Sequence, residues 1–328
     1  MQVFSRLEVK FFNTQRSVMK KFLLIPGIIF TLSAFSQQDT AIVIFEPPAK
    51  NVEVEKIPVK VFHSQSLINT KTVDVLSKGV LEFKVSHNFG DLAGSNGGIK
   101  RFFGLDNASD IRIGFQLGLT DNLNVIAARA KGAGLVQQLY ELGLKYQFMK
   151  QEASPGKPLS VTAFANAVVS SMEANGLPGQ ENSFEKFSDR LSETVQLMVA
   201  RKMGKISLQA SATMVNRNYV IMGDDQTTFA IGGGARLPIS EKFILLADYF
   251  HPFHSTEARQ LYRSMDIELY DVFGVGVEIL TQGHVFHLNF TNATESLENS
   301  FIPKKITSWG KGQYRWAFTI SRNFTLFR

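Results

Sequence analysis

The chain has 328 residues, 44% hydrophobic and 20% charged, and contains no cysteine. That composition suits a folded protein, and the missing thiols exclude disulfides, thiolate metal sites, cysteine nucleophiles and lipoprotein acylation. The net charge of +6 makes no case for nucleic acid: five cations and one acid lie in residues 1–36, so four excess charges go with that stretch and +2 remains.

Residues 1–36 read as a leader. The stretch "MKKFLLIPGIIFTLSAFSQQ" starts with Lys20 and Lys21, continues as an apolar run from Phe22 to Leu32, and ends in the small-x-small triplet Ala34-Phe35-Ser36. Such a run is too short to span a bilayer as a helix. Cleavage after Ser36 is expected, with Met19 as the true start and residues 1–18 as an extension. Residues 37–77 contain Pro47-Pro48 and the mixed-charge stretch "KNVEVEKIPVKVFHSQ". They are expected to form an extended periplasmic tether, leaving 78–328 as the folded domain.

From Lys78 onward apolar and polar residues alternate, the period-two signal of strands. In "DIRIGFQLGL", Ile111, Ile113, Phe115, Leu117 and Leu119 fall on one face, with Arg112, Gly114, Gln116 and Gly118 on the other. "LYELGLKYQF" sets Tyr140, Leu142, Leu144, Tyr146 and Phe148 against Glu141, Gly143, Lys145 and Gln147. "TTFAIGGGARL" and "DVFGVGVEIL" oppose large apolar residues to glycine-rich faces carrying Arg236 and Glu278. "LNVIAARAK" and "LSVTAFANAVV" are apolar on both faces and their phase stays open. In the closing stretch "GQYRWAFTISRNFTLFR", Tyr314, Trp316, Phe318 and Ile320 alternate with Arg315, Ala317, Thr319 and Ser321.

A soluble edge strand carrying so much aromatic surface would aggregate; lipid is the solvent that suits it. About twelve strands are expected, at 79–90, 109–119, 123–131, 138–149, 159–173, 189–202, 205–217, 227–238, 242–251, 270–280, 284–291 and 312–327. The even count and the alternation of short links ("TDN", "EASPGKP", "MGK", "PISEK", "TQG") with longer ones match an outer-membrane barrel with short periplasmic turns and long outer loops. The expected fold class is therefore all-β, a transmembrane antiparallel up-and-down barrel. Its expected partners are outer-membrane lipid, the barrel-assembly machinery during biogenesis and a small solute, with no nucleic acid and no cofactor.

The segments "LSKGVLEFKVSHNFGDL" and "KRFFGLDNASDIRIGFQLGLTDNLNV" resemble an uncharacterised family of Bacteroidota β-barrel proteins, a domain of unknown function. The matching positions are His87, Phe89, Gly90, Phe102, Phe103, Gly104, Leu105, Asp106, Ala108, Arg112 and Gly114. Asn88 stands where the family usually has Arg, so no charge-based role carries over there. The resemblance implies a barrel in the outer membrane and supplies no activity.

These phases direct Glu82, Lys84, Arg112, Glu141, Lys145, Arg236, Asp248, Glu278, His287 and Arg315 to the interior. Two readings compete: structural ion pairs across a narrow lumen, or a selectivity lining for a small solute. The first is favoured because a barrel of this size leaves little free lumen. In the first long loop, Arg101, Phe102, Phe103 and Asp106 are candidates for a constriction or an anchored lid. Exposed Phe-Phe is unfavourable in water, so the loop is expected to tuck inward and bring Asp106 towards Arg112.

No metal site is expected. His284 and His287 stand three apart in a strand and so face opposite ways, and His251 and His254 have no carboxylate at ligand spacing. No catalytic trio is marked. Function is expected to be a narrow channel or carrier, with a structural or docking barrel as the alternative and a lipid hydrolase as a third, weaker one.

Overall fold

In the computed structural model, residues 57–153 and 156–327 are described. The expected leader (1–36) and residues 37–56 of the expected tether lie outside them. Twelve strands follow in chain order: β1 (Val80–Asp91), β2 (Ala108–Gly118), β3 (Leu123–Ala130), β4 (Leu139–Met149), β5 (Ser160–Ser170) and β6 (Leu191–Met203), then β7 (Ile206–Arg217), β8 (Thr227–Pro238), β9 (Phe243–Phe253), β10 (Val272–Leu280), β11 (Val285–Thr291) and β12 (Arg315–Thr325). Each pairs antiparallel with its neighbours in sequence. β12 returns to β1 in the register Val80↔Thr325, Val85↔Ile320 and His87↔Phe318, closing the barrel. Closure matters because lipid offers backbone groups no hydrogen-bond partner.

The faces follow the sequence pattern. Leu142 and Leu144 are 64% and 53% exposed, whereas Glu141 and Lys145 between and beside them are 4% and 0% exposed. In β12, Arg315, Ala317, Thr319 and Ser321 are buried inside. The two strands of open phase also resolve: Asn124 and Ile126 of β3, and Thr162, Phe164 and Asn166 of β5, point inward. Among these, Ile126 and Phe164 are large and apolar because they pack against protein, not water.

That protein is the stretch expected to be a periplasmic tether. Residues 57–77 run inside the barrel instead of hanging below it. Val61, Phe62, Leu67 and Val73 are buried in one cluster with the inward Ile126, Phe164, Met198, Ile244 and Leu246. Burying four such side chains is worth about 1.5–3 kcal/mol each, which explains why the segment leaves water. It is joined to the short-turn end at both of its ends: Val59 donates to the Gln151 carbonyl (2.7 Å), and Gly79 to the Gly118 carbonyl (2.8 Å).

The long-loop end is closed from the other side. Helix α1 (Thr256–Ser264) lies in the connection from β9 to β10. Residues 292–314 connect β11 to β12 and fold inward, with a short helix, α2 (Glu298–Phe301), whose Phe301 packs on Phe250 of β9. This segment fills the place expected for the first long loop. Ser296 donates its N–H to Asp110 (2.8 Å), and Ser109 donates to the Thr294 carbonyl (3.2 Å). The first long loop consequently stays outside, contrary to expectation. Phe102 and Phe103 are 61% and 46% exposed, in a 3-10 segment with φ of 46° and 51° at those residues. It turns back at Gly104 (φ 85°), where a Cβ would lie 2.3 Å from the Gly90 carbonyl oxygen. Only a glycine fits that approach.

Candidate functional site: the plugged lumen

All ten residues directed to the interior by the sequence pattern are there; nine are buried and Lys84 is half-buried. Apart from Glu82, which lines a small polar cavity, they divide into pairs within the wall and anchors for the segment inside. In the wall, Arg112 and Glu141 form an ion pair at 2.6 Å, to which Asn166 adds a 2.9 Å hydrogen bond. Arg236 and Glu278 pair at 3.2 Å, and Arg315 reaches Asp91 at 2.7 Å. Buried ions need such partners, because an unpaired charge out of water is costly.

The other charges grip residues 57–77. Asp248 of β9 accepts from three successive backbone N–H groups, Ile68 (3.1 Å), Asn69 (2.5 Å) and Thr70 (2.9 Å), and from the Asn69 amide (2.8 Å). One carboxylate thus satisfies the tip of the inserted turn, which is pinned across its base by a Ser66↔Lys71 bridge. Lys145 donates to Gln65 Oε1 (3.0 Å) and to the Asp74 carbonyl. Lys84 donates to Ser66 Oγ, and Asp74 accepts from the N–H groups of Phe62 and Val61.

Ser64 Oγ bonds Glu278 and lies 3.1 Å from His287 Nε2, but His287 Nδ1 faces the Leu67 carbonyl at 3.2 Å. The carboxylate therefore sits on the serine side of the imidazole. A hydrolytic relay needs the acid on the far nitrogen, so this trio works as an anchor. His251 instead meets Asp271 at 2.9 Å, and His254 lies 3.7 Å from Asp225, both at the long-loop end.

Backbone groups of the irregular segment need partners too, and inward amides supply them. Asn124 both accepts from Leu76 N (2.8 Å) and donates to its carbonyl (3.0 Å). Gln209 accepts from Val73 N (2.9 Å) and donates to the Lys71 carbonyl (2.7 Å), while Gln147 donates to the Val73 carbonyl (3.0 Å). Glycines make the room: a Cβ on Gly234 would lie 2.2 Å from Leu67, and one on Gly274 2.7 Å from Ile68. These amides, with Gln65, Lys71, Asp74 and Glu298, escaped a search confined to charges on regular strands. The glycine-rich inner faces of β8 and β10 were the signal that something approaches closely there.

The two fillings meet at one point. Lys71, at the tip of the inserted turn, donates to both carboxylate oxygens of Glu298 in α2 (2.9 and 3.1 Å). Beside this contact remains a polar cavity of about 50 Å³ lined by Lys84, Arg112, Asn289 and Thr319, among others. It has room for a few waters and for no larger solute. A second, larger cavity of about 460 Å³ opens at the long-loop end.

Of the loop candidates, Arg101 and Asp106 are exposed like the two phenylalanines. The expected approach of Asp106 to Arg112 does not occur, because Glu141 already occupies the guanidinium from the neighbouring wall.

A family model described as "Membrane bound beta barrel domain (DUF5777)" matches residues 62–324, a span that takes in most of the inserted segment. Among solved structures, the COG4313 outer membrane channel from Pseudomonas putida F1 is 12% identical with a TM-score of 0.47, covering 78% of this chain and 100% of its own. NanC porin is 8% identical (TM-score 0.45; 75% and 100%), and KdgM porin 6% (0.44; 75% and 99%). Likeness at that level speaks only to the barrel. The curated proteins contain no match.

Proposed function

We propose, from the premise that this chain belongs to the family of membrane-bound beta-barrel domains, that it is an exported outer-membrane barrel held shut by its own N-terminal segment. Its short turns face the periplasm and its long loops the exterior, as the loop lengths suggest. In this closed form it serves as a structural or docking component, with its long loops available to partners outside the membrane. The observation that carries this reading is the seating of residues 57–77. Asp248 satisfies the tip and an apolar cluster holds the flanks. The family match beginning at residue 62 supports the view that the plug is part of the domain and not an appended linker.

A second reading is a narrow channel that conducts when the plug leaves. It is favoured by the wall beneath the plug, which carries both signs of charge at Glu141, Lys145 and Arg236 as rings in selective pores do. Single-channel recording in planar bilayers separates the two. The docking reading expects no conductance from the intact protein and none from a variant with residues 57–76 replaced by a short Gly/Ser linker. A variant that folds and conducts selectively while the intact protein stays closed would replace it with the gated channel. Steady conductance from the intact protein would overturn the closed barrel altogether.

A further inference from the structure

The cavity at the long-loop end is walled by four of the long connections and by the inner rim of the barrel. Leu139 and Val168, which form its base, belong to a buried cluster with Ala130 and Leu297. Val136 and Ile306 continue the apolar lining upward, and Ile306 is 42% exposed. The opposite side is polar. Its cations are already committed: Lys304 to Glu181 (2.7 Å), Arg217 to Asp224 (2.9 Å), and Arg190 to the carbonyls of Ser170 and Met172 and the ring of Phe184. Two lining acids have no cation within ion-pair distance among the described residues. Glu295 accepts only from the Thr294 hydroxyl, and Asp189 from the Lys186 N–H and the Ser188 hydroxyl. Asn299, 4% exposed, also lines the cavity, and its Oδ1 has no partner although its Nδ2 donates to Ser192. A volume of about 460 Å³ lies within the range of small-molecule sites.

We infer that this cavity binds a small amphiphile with an apolar body and a hydrogen-bond-donating, cationic head. The body lies on Val136, Leu139 and Val168, with Ile306 at the exposed rim beyond it. The head donates towards Glu295 and Asp189, which attract positive charge, and towards the unpartnered oxygen of Asn299. Occupancy is tied to the plug, because Asn299 is the next residue in α2 after Glu298, the partner of Lys71. A ligand that draws Asn299 outward draws on the ion pair that, among the described residues, joins the outer loop to the inserted turn. This tie rests on the gated-channel reading; the binding site itself does not.

The chain lacks cysteine, so Ile306→Cys carries a single bimane fluorophore at the cavity mouth of the full-length protein in nanodiscs. The probes are 4-phenylbutylamine and 4-phenylbutyrate, alike in body and opposite in head charge. The amine is expected to saturate the signal at a concentration at least ten-fold below the carboxylate. Filling the base with Val168→Trp, or the loop wall with Val136→Trp, is expected to abolish saturation, with the heat-induced gel shift confirming that each variant is folded. No saturation, equal response to both probes, or a response unchanged in both filled variants overturns the site. In bilayers the amine is expected to produce openings that Glu298→Gln alters. Saturable binding without openings keeps the site and overturns the tie. The plug-replacement recording tests the gated-channel reading separately.

Discussion

Replacing Asp248 by Ala tests whether the inserted turn is held by one carboxylate. Its removal orphans the N–H groups of Ile68, Asn69 and Thr70 and the Asn69 amide. Thr70 is fully buried, while Ile68 and Asn69 are half-buried and partly regain water. A hydrogen bond to a charged group contributes about 1.5–3 kcal/mol, and a buried donor left alone costs about 1–3 kcal/mol. Counted in full at Thr70 and only in part at the two residues that regain water, the gross loss is about 4–6 kcal/mol. Relief from burying the carboxylate returns part of it, leaving about 3 kcal/mol, or roughly a hundred-fold in the opening equilibrium of the tip. The apolar flank at Val61 and Phe62 is held by its core cluster and by Asp74 and stays seated. In a maleimide-labelling assay on folded protein, a Thr70→Cys thiol should therefore react about 100-fold faster when Asp248→Ala is added. A Val61→Cys thiol should remain slow. Asp248→Asn, which keeps an acceptor oxygen but loses the charge, should fall between. Unchanged labelling at position 70 would refute the idea that Asp248 holds the turn. Equal acceleration at 61 and 70 would mean that the segment moves as one body.

Leu144→Arg places a charge on the lipid face and should cost about 2–4 kcal/mol if it lies near the bilayer midplane, read from urea unfolding in vesicles. Lys145→Gln should leave the barrel intact but loosen the plug, seen as faster labelling at Thr70→Cys, because Lys145 bonds Gln65 and Asp74. Removing one partner of the buried Lys71–Glu298 pair should cost about 3–5 kcal/mol, whereas the double replacement Lys71→Met with Glu298→Leu should recover most of it; a double-mutant cycle in unfolding free energy checks this. Burial lowers Lys305, in the β11–β12 loop, from 10.5 to about 7. The folded state then binds fewer protons than the unfolded state between those values. The stability of this loop should therefore rise with pH from about 7 to about 10.5, with the penalty for charging Lys305 complete below 7. Hydrogen exchange across 292–308 should show that slope, and Lys305→Met should remove it. Phe102→Ser, at an exposed position, should change stability by no more than about 0.5 kcal/mol.

The strands were legible because lipid imposes a stricter alternation than water does. Outward positions near the middle of the bilayer must be apolar, so Leu142, Leu144 and Tyr146 declare the phase of β4, and Glu141 and Lys145 follow inside. The plug was illegible for the opposite reason. Its apolar residues, Val61, Phe62, Leu67, Val73 and Leu76, obey no period, because the segment makes only isolated bridges and takes its hydrogen bonds from wall side chains. Prolines and mixed charges nearby read as a linker when no partner is visible. The first long loop misled differently. Phe102 and Phe103 lose a competition for the inner position, which residues 292–314 hold through Asp110 and Ser109.

Yet the plug left an imprint on the strands it touches. A wet lumen would favour polar inner faces on all twelve strands, as it does where β4 presents Glu141, Lys145 and Gln147. Ile126 of β3, Phe164 of β5 and Ile244 and Leu246 of β9 are instead large, apolar and inward. β8 and β10 carry glycines where Leu67 and Ile68 press against the wall. Amides at Asn124, Gln147 and Gln209 are spaced around the barrel to meet backbone groups that form no ladder of their own. Each of these is a poor choice for an open pore: the first exposes apolar surface to water, the second forgoes side-chain packing, and the third gains nothing over a hydrated charge. Together they have one physical explanation, a polypeptide filling the lumen. Apolar residues on both faces of a lipid-facing strand therefore carry information about the interior. The two-sided apolar character of "LNVIAARAK" and "LSVTAFANAVV", taken with the glycine faces, points to an internal partner, and residues 57–77, the stretch leading directly into β1, are the nearest candidate.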